Sequence, residues 1–269
     1  MPDRRRIGFD RTILSEWLDA AAARVMRGEA PEAARKFLWD FLEDVEPGET
    51  NNSGRGKTLT VPSRIWVSVP SQAEPLRQAA LRCIARASGD SRVGVHWAMV
   101  AGTHPFFFDV VTQVGKLIKL HGQANRSQIK RRMVETWGDR STLERTIQHV
   151  LRSITRWRML RAGTEHGSLI AAAQRMCVND ELAQLLIHSV LLAHGRGLPF
   201  SHLTSHPALF PFDLQITVRE LMRNSTFRVQ RQGDQSDIVE LTDCVVPLIN
   251  VAQKANHRQR IVRTTNGRG

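Results

Sequence analysis

The sequence predicts a mainly α fold with small β-wings, and three observations carry that prediction. Apolar residues recur at three- and four-residue intervals through most of the chain. Pro and Gly punctuate those runs where helices start and stop, as at Pro105 and Gly122. Short apolar segments suited to strands flank two polar turns, "GTEHG" and "QGDQSD". The expected organisation is a helical N-terminal module over 1–104 and a helix-and-wing domain over 105–178. A second unit of that kind over 179–245 and a basic tail over 246–269 complete it.

In the N-terminal module, "DRTILSEWLDAAAARVM" reads as an amphipathic helix through Ile13, Leu14, Trp17, Leu18, Ala21 and Val25. "PEAARKFLWDFLEDVEPGE" is a second, with Pro31 at its start and Phe37, Leu38, Phe41, Leu42 and Val45 as its apolar set. "NNSGRGKTLT" follows and ends in Gly56-Lys57-Thr58, as a nucleotide phosphate loop does. Such a loop follows a buried strand and opens a helix, so that backbone N–H groups and the helix N-terminus face the phosphates. Its first glycine belongs at position 51, which is Asn51. The next segment, "LTVPSRIWVSVP", is β-branched and broken by Pro62 and Pro70, which predicts an extended or edge strand. Helix, loop, strand is the wrong order for nucleotide binding. The expectation is a polar loop whose Arg55 and Lys57 touch a phosphate backbone, with an enzyme using Lys57 as the alternative. "AEPLRQAALRCIARAS" and "GVHWAMVAG" read as further helices, and Trp17, Trp39, Trp66 and Trp97 as packing residues.

Charge is the strongest functional signal. The 269 residues carry a formal net charge of +12, which points to an anionic partner. Residues 1–115 are net +1, 116–160 net +8, 161–243 net −2 and 244–269 net +5. The excess therefore sits in one internal segment and in the tail.

That segment has a readable order. "FFFDVVTQVGKLIKLHG" is a first helix with Phe107, Val110, Val111, Val114, Leu117 and Ile118 inward. "NRSQIKRRMVETWG" is a second, with Ile129, Met133 and Trp137 recurring every four residues. "DRSTLERTIQHVLRSITRWRML" is a third, with capping-box spacing at Ser141-Thr142-Leu143-Glu144. Its buried stripe is Leu143, Ile147, Val150, Leu151 and Ile154. Arg140, Thr142, Arg145, Thr146, Gln148, His149 and Arg152 are expected on the opposite face, where Arg and Gln suit base edges in a major groove. Arg126, Ser127, Gln128, Lys130 and Arg131 cluster at the second helix, where phosphates are usually met.

Three helices followed by the two apolar segments of "RWRMLRAGTEHGSLIAAAQRMCV" resemble the winged-helix branch of the helix-turn-helix superfamily over residues 106–178. The resemblance implies double-stranded DNA as partner, the third helix in the major groove, and Arg158, Arg161 and His166 as peripheral contacts of the wing. The helical module, "SRIWV" and "WAMVAGTHPFFFDVV" leading into that unit also resemble the BrxA-like accessory proteins of the BREX phage-defence systems. That likeness implies a non-catalytic, DNA-binding component beside other proteins of a bacterial defence complex. A transcriptional regulator is the alternative setting. A structural adaptor using its wings for protein contacts is the alternative function.

Beyond the wing, "NDELAQLLIHSVLLAHG" predicts a helix capped by Asn179 or Asp180. "QITVRELMRNSTFRVQRQGDQSDIVEL" reads as helix, strand, turn, strand, a near-neutral unit suited to protein contacts. His194, His202 and His206, with Asp213 nearby, are the only histidine cluster; no cofactor and no metal are expected. Cys83, Cys177 and Cys244 lie far apart and are expected reduced and buried. Glu16 and Asp19 interrupt any signal-peptide core and no apolar stretch approaches a membrane span, so the expected compartment is the cytoplasm.

Overall fold

A computed structural model describes residues 7–45, 48–172, 174–232 and 236–242. The basic tail, Cys244 and much of the "QGDQSD" turn lie outside these residues. The described residues are mainly helical with three small sheets.

An irregular N-terminal segment buries Phe9 and Ile13 and leads into α1 (Ser15–Met26). After α2 (Pro31–Phe41), the chain enters α3 (Gly54–Pro62), where a strand was expected. Leu59, Val61, Ile65, Trp66 and Val67 are all buried, so burial of the apolar set overrides the β-branched local preference. Pro62 cannot donate to the helical ladder. Beyond it the chain widens into a π-helical turn over Ser63–Val67, closed by a 2.7 Å bond from the Ser68 N–H to the Ser63 carbonyl. A further departure lies on α2 and the turn after it. Leu38 and Leu42 are buried, but Phe41 and Val45 are exposed.

Next come α4 (Glu74–Arg86) and α5 (Ser91–Thr103). Every residue of α5 from Gly94 to Thr103 is buried, as expected of a helix enclosed on all sides. Trp97 on α5 is the hub. Its indole N–H donates to the Ala208 carbonyl at 3.1 Å, and its ring meets Phe107, Trp157, Phe210 and Phe212 edge-on.

The charged segment folds as α6 (Pro105–His121), β1 (Ala124–Asn125), α7 (Arg126–Trp137), α8 (Leu143–Arg156), β2 (Leu160–Ala162) and β3 (Ser168–Ala171). β3 pairs antiparallel with β1 on one side and β2 on the other. β4 (Met176–Val178), expected to belong to the wing, instead runs parallel to β6 (Phe212–Leu214). Cys177 on β4 is exposed, contrary to expectation, while Cys83 is buried and its thiol is pushed up to about 11 by burial first and by Glu181 second.

The C-terminal elements repeat that order. They are α9 (Asp180–His194), β5 (Leu198–Pro199), α10 (Phe200–Thr204), β6, α11 (Val218–Met222), β7 (Phe227–Gln232) and β8 (Ser236–Leu241). The last strand again sits between the other two, in the order β5-β8-β7. Asn179 caps α9, accepting from the Leu182 N–H at 2.9 Å. Both α6 and α9 end in a His followed by a glycine in the left-handed region, Gly122 (φ 72°) and Gly195 (φ 65°). The two units meet at a seam where Gly115 of α6 lies against Pro207. A Cβ at Gly115 would collide with the Pro207 carbonyl.

Candidate nucleic-acid interface

α7 and α8 are positioned by a shared apolar floor. Ile129, Met133 and Trp137 from α7 and Leu143, Ile147, Val150, Leu151 and Ile154 from α8 are all buried, as their spacing predicts. Asn125 caps α7, its side chain accepting from the Ser127 N–H at 3.0 Å. Gly138, with φ 75°, turns the chain toward α8. The expected capping box at the start of α8 is not formed. Thr142 precedes the helix without a side-chain cap, and its carbonyl accepts from the Thr146 hydroxyl at 3.0 Å.

Arg126, Ser127 and Arg131 on α7 are exposed, and Gln128 and Lys130 are half-buried. Arg140 and Thr142 are exposed ahead of α8, and Arg145 and Arg152 are exposed along it, with Gln148 half-buried between them. Thr155 and Arg156 continue the same stripe one turn further and were not anticipated. The continuing three- and four-residue interval from Arg145 was the signal that would have found them.

Thr146 and His149 are buried and do not belong to that surface. The irregular N-terminal segment lies over their side of α8. Thr12 Oγ1 meets His149 Nδ1 at 3.2 Å, Ser153 Oγ accepts from the Ile13 N–H at 2.8 Å, and the Trp157 indole donates to the Ile13 carbonyl at 3.0 Å. Burial first, then Arg145, Arg11 and Arg152, hold the His149 imidazole below its ordinary pKa. Asp10 acts in the opposite sense, so the three arginines outweigh the acid near this imidazole.

Lys130 forms an ion pair with Glu144 at 2.6 Å, which ties α7 to α8. Arg126, Arg131, Arg145, Arg152, Arg158 and Arg161 form no ion pair with a described acid. Their charge is therefore open to an external anion. After α8, Arg158 and Arg161 are exposed, as is His166 in the β2–β3 turn. Arg158 adopts φ 61°, the only described non-glycine residue in the left-handed region, where the chain leaves α8 for β2.

The Gly56-Lys57-Thr58 segment does open a helix, contrary to the strand expected after it. A helix and not a strand comes before it. Gly56 is explained by packing, since a Cβ there would collide with the Asn51 backbone. The Thr58 hydroxyl is buried without a hydrogen-bond partner among the described residues. Arg55 is buried too. Its Nε donates to the Trp39 carbonyl at 2.6 Å and its guanidinium lies 4.5 Å from the centre of the Trp39 ring, so it ties α3 to α2. Lys57 is exposed. His194 and His206 do meet, Nε2 to Nε2 at 3.0 Å. Among the described residues no group of three or more His, Cys, Asp or Glu is placed to hold a metal ion. No helix among them is long and apolar enough to cross a membrane.

The chain matches no protein-family model, no curated protein and no solved structure.

Proposed function

We propose that residues 105–171 form a winged helix that binds double-stranded DNA, with α8 in the major groove and the β2–β3 turn against the backbone. The observation that carries this reading is the exposed stripe of Arg145, Arg152 and Arg156, with Gln148 between, on a helix whose other face is buried. Arginine and glutamine offer the donor geometry that base edges require. Arg126, Ser127 and Arg131 at the start of α7 supply phosphate contacts, which set register and carry no sequence information. The protein does no chemistry on the DNA in this reading. Its setting as an accessory component of a phage-defence system, or as a transcriptional regulator, rests on the resemblance of the sequence.

Fluorescence anisotropy with a labelled duplex across a salt series tests the reading. With about five phosphate contacts, log affinity falls against log salt with a slope of about −4 to −5. Binding that ignores salt, or no binding at low salt, overturns it.

The second unit, 180–241, is net −2, and α11 exposes Met222. That surface favours a protein partner over DNA, the adaptor role confined to this unit.

A further inference from the structure

The irregular segment ahead of α1 lies across α8 as a strap. Phe9 and Ile13 anchor it in the core, and Arg11 sits between those two anchors. Two bonds fasten it to α8: Thr12 Oγ1 meets His149 Nδ1, and Ser153 Oγ accepts from the Ile13 N–H. After burial, the charges that hold the His149 imidazole below its ordinary pKa are those of Arg145, Arg11 and Arg152. Arg11 of the strap therefore shares one neighbourhood with two arginines of the exposed α8 stripe. Arg11 is half-buried and forms no ion pair with a described acid. Its Nε is buried without a hydrogen-bond partner among the described residues. An unmade bond from a charged donor is costly, and an anion beside the same guanidinium offsets that cost.

The strap also stands on a particular side of the stripe. At about 100° per residue, Glu144 and Ser153 lie about 180° apart around α8. Glu144 is bonded to Lys130 of α7, and Ser153 to the strap. Arg145, Gln148 and Arg152 run between them, so α7 and the strap border the stripe on opposite sides. A major groove likewise has a sugar–phosphate strand along each edge. We propose that the strap meets the DNA strand at the groove edge opposite α7, with the Arg11 guanidinium on a phosphate. The inference rests on the winged-helix reading above and adds a contact from outside the winged helix. The buried anchors on either side of Arg11 set its backbone before DNA arrives, which lowers the ordering cost of the contact. A contact of this kind sets register and reads no base.

The test uses the full chain carrying Arg11→Gln, beside Arg11→Lys and beside Arg145→Ala with Arg152→Ala, on two duplexes of unrelated sequence. Arg11 is half-buried, so each variant's thermal midpoint is recorded, and Asp10→Lys, at the exposed neighbouring site, is measured in parallel. Arg11→Gln is expected to weaken both duplexes alike, on the order of fivefold at fixed salt, with a salt slope shallower by about 1. Arg11→Lys, which keeps the charge, keeps the parent slope. Asp10→Lys tightens binding and steepens the slope. If Arg11→Gln and Asp10→Lys both bind like the parent while Arg145→Ala with Arg152→Ala weakens binding, the strap assignment fails and the winged-helix reading stands. If Arg11→Gln and the α8 pair both leave binding unchanged, both fail. A lower thermal midpoint for Arg11→Gln with an unchanged slope makes Arg11 a structural residue and overturns the assignment. A loss confined to one duplex overturns it in favour of a base contact.

Discussion

Residues 105–171 and residues 180–241 follow the same order of helix, short strand, two helices and a two-stranded turn, with the last strand in the middle of the sheet. They differ in what that scaffold presents. In the first unit the third helix has 14 residues, about 21 Å, and lies in a segment of net +7. In the second it has 5 residues, about 8 Å, in a segment of net −2. The longer helix in the more basic segment, α8, is therefore the one that the proposed DNA-binding mode places in a major groove. The second unit spends its extra residues on the link between α10 and α11, which carries β6 and packs Pro207 against α6. Topology therefore fixes where a reading helix would stand, and helix length and charge decide whether there is one.

The largest effect that sharpens this contrast is on DNA affinity. Arg145→Ala with Arg152→Ala is expected to weaken duplex binding at least thirtyfold, about 2 kcal/mol or more, by anisotropy at fixed salt. Arg219→Ala with Arg223→Ala on and after α11 is expected to change it less than about twofold. Equal losses from the two pairs would erase the distinction between the units.

The seam comes next. Gly115→Ala drives a Cβ into the Pro207 backbone, which cannot move as a side-chain tip can. Overpacking of this kind costs about 1–3 kcal/mol, read as a lower urea midpoint. An unchanged midpoint would mean that the units slide freely against each other.

Acid acts on buried histidines on both sides of that seam. Burial pushes His104, at the start of α6, down to about 3 with Arg64 assisting, and His188, on α9, down to about 4. Both titrate near 6.5 when unfolded. Between pH 6.5 and about 4 the unfolded chain thus binds protons that the folded chain refuses. Stability is full above 6.5 and falls as pH drops through that window, by up to about 1.4 kcal/mol per pH unit for each histidine. Chemical unfolding at pH 7, 6 and 5 measures it. His188→Gln removes one unit's share, and a slope unaltered by that change would place the effect elsewhere.

The smallest contrast is between two threonine caps. Thr217 forms a full capping box with Glu220, whose side chain accepts from the Thr217 N–H at 2.6 Å. Thr142 makes no side-chain cap. Thr217→Ala should cost about 1 kcal/mol and Thr142→Ala a few tenths, by thermal unfolding. The reverse order would show the box at α8 to be the one that holds in solution.

Sequence patterns carried far where the code was local. The stripes of α6, α7 and α8, the Asn179 cap, the left-handed Gly122 and the second helix–strand–turn–strand unit follow from spacing and end signals within one element. They misled where a distant segment decided. "SRIWV" reads as a strand by composition and is helical because its apolar set faces a core built by α1, α2 and α5. Capping-box spacing at Ser141 and Glu144 lost to Lys130, which takes the Glu144 carboxylate. Thr146 and His149 fall on the polar side of α8 by period, yet both are buried, and Thr12 and Ile13 reach His149 and Ser153 from more than 130 positions away. Phe41 and Val45 fit an inward stripe by period and yet are exposed, with Phe41 stacked on Phe37.

The sequence by itself determined most of the helices, the short strands that flank the two polar turns and the place of the excess charge, because periodicity, capping and net charge are written in neighbouring residues. Only the tertiary structure decided which side of α8 stays open, why Gly56 and Gly115 are glycines, and that Arg11 shares one neighbourhood with Arg145 and Arg152. Those facts depend on which remote surfaces the burial of apolar area brings together, and no local pattern encodes that pairing.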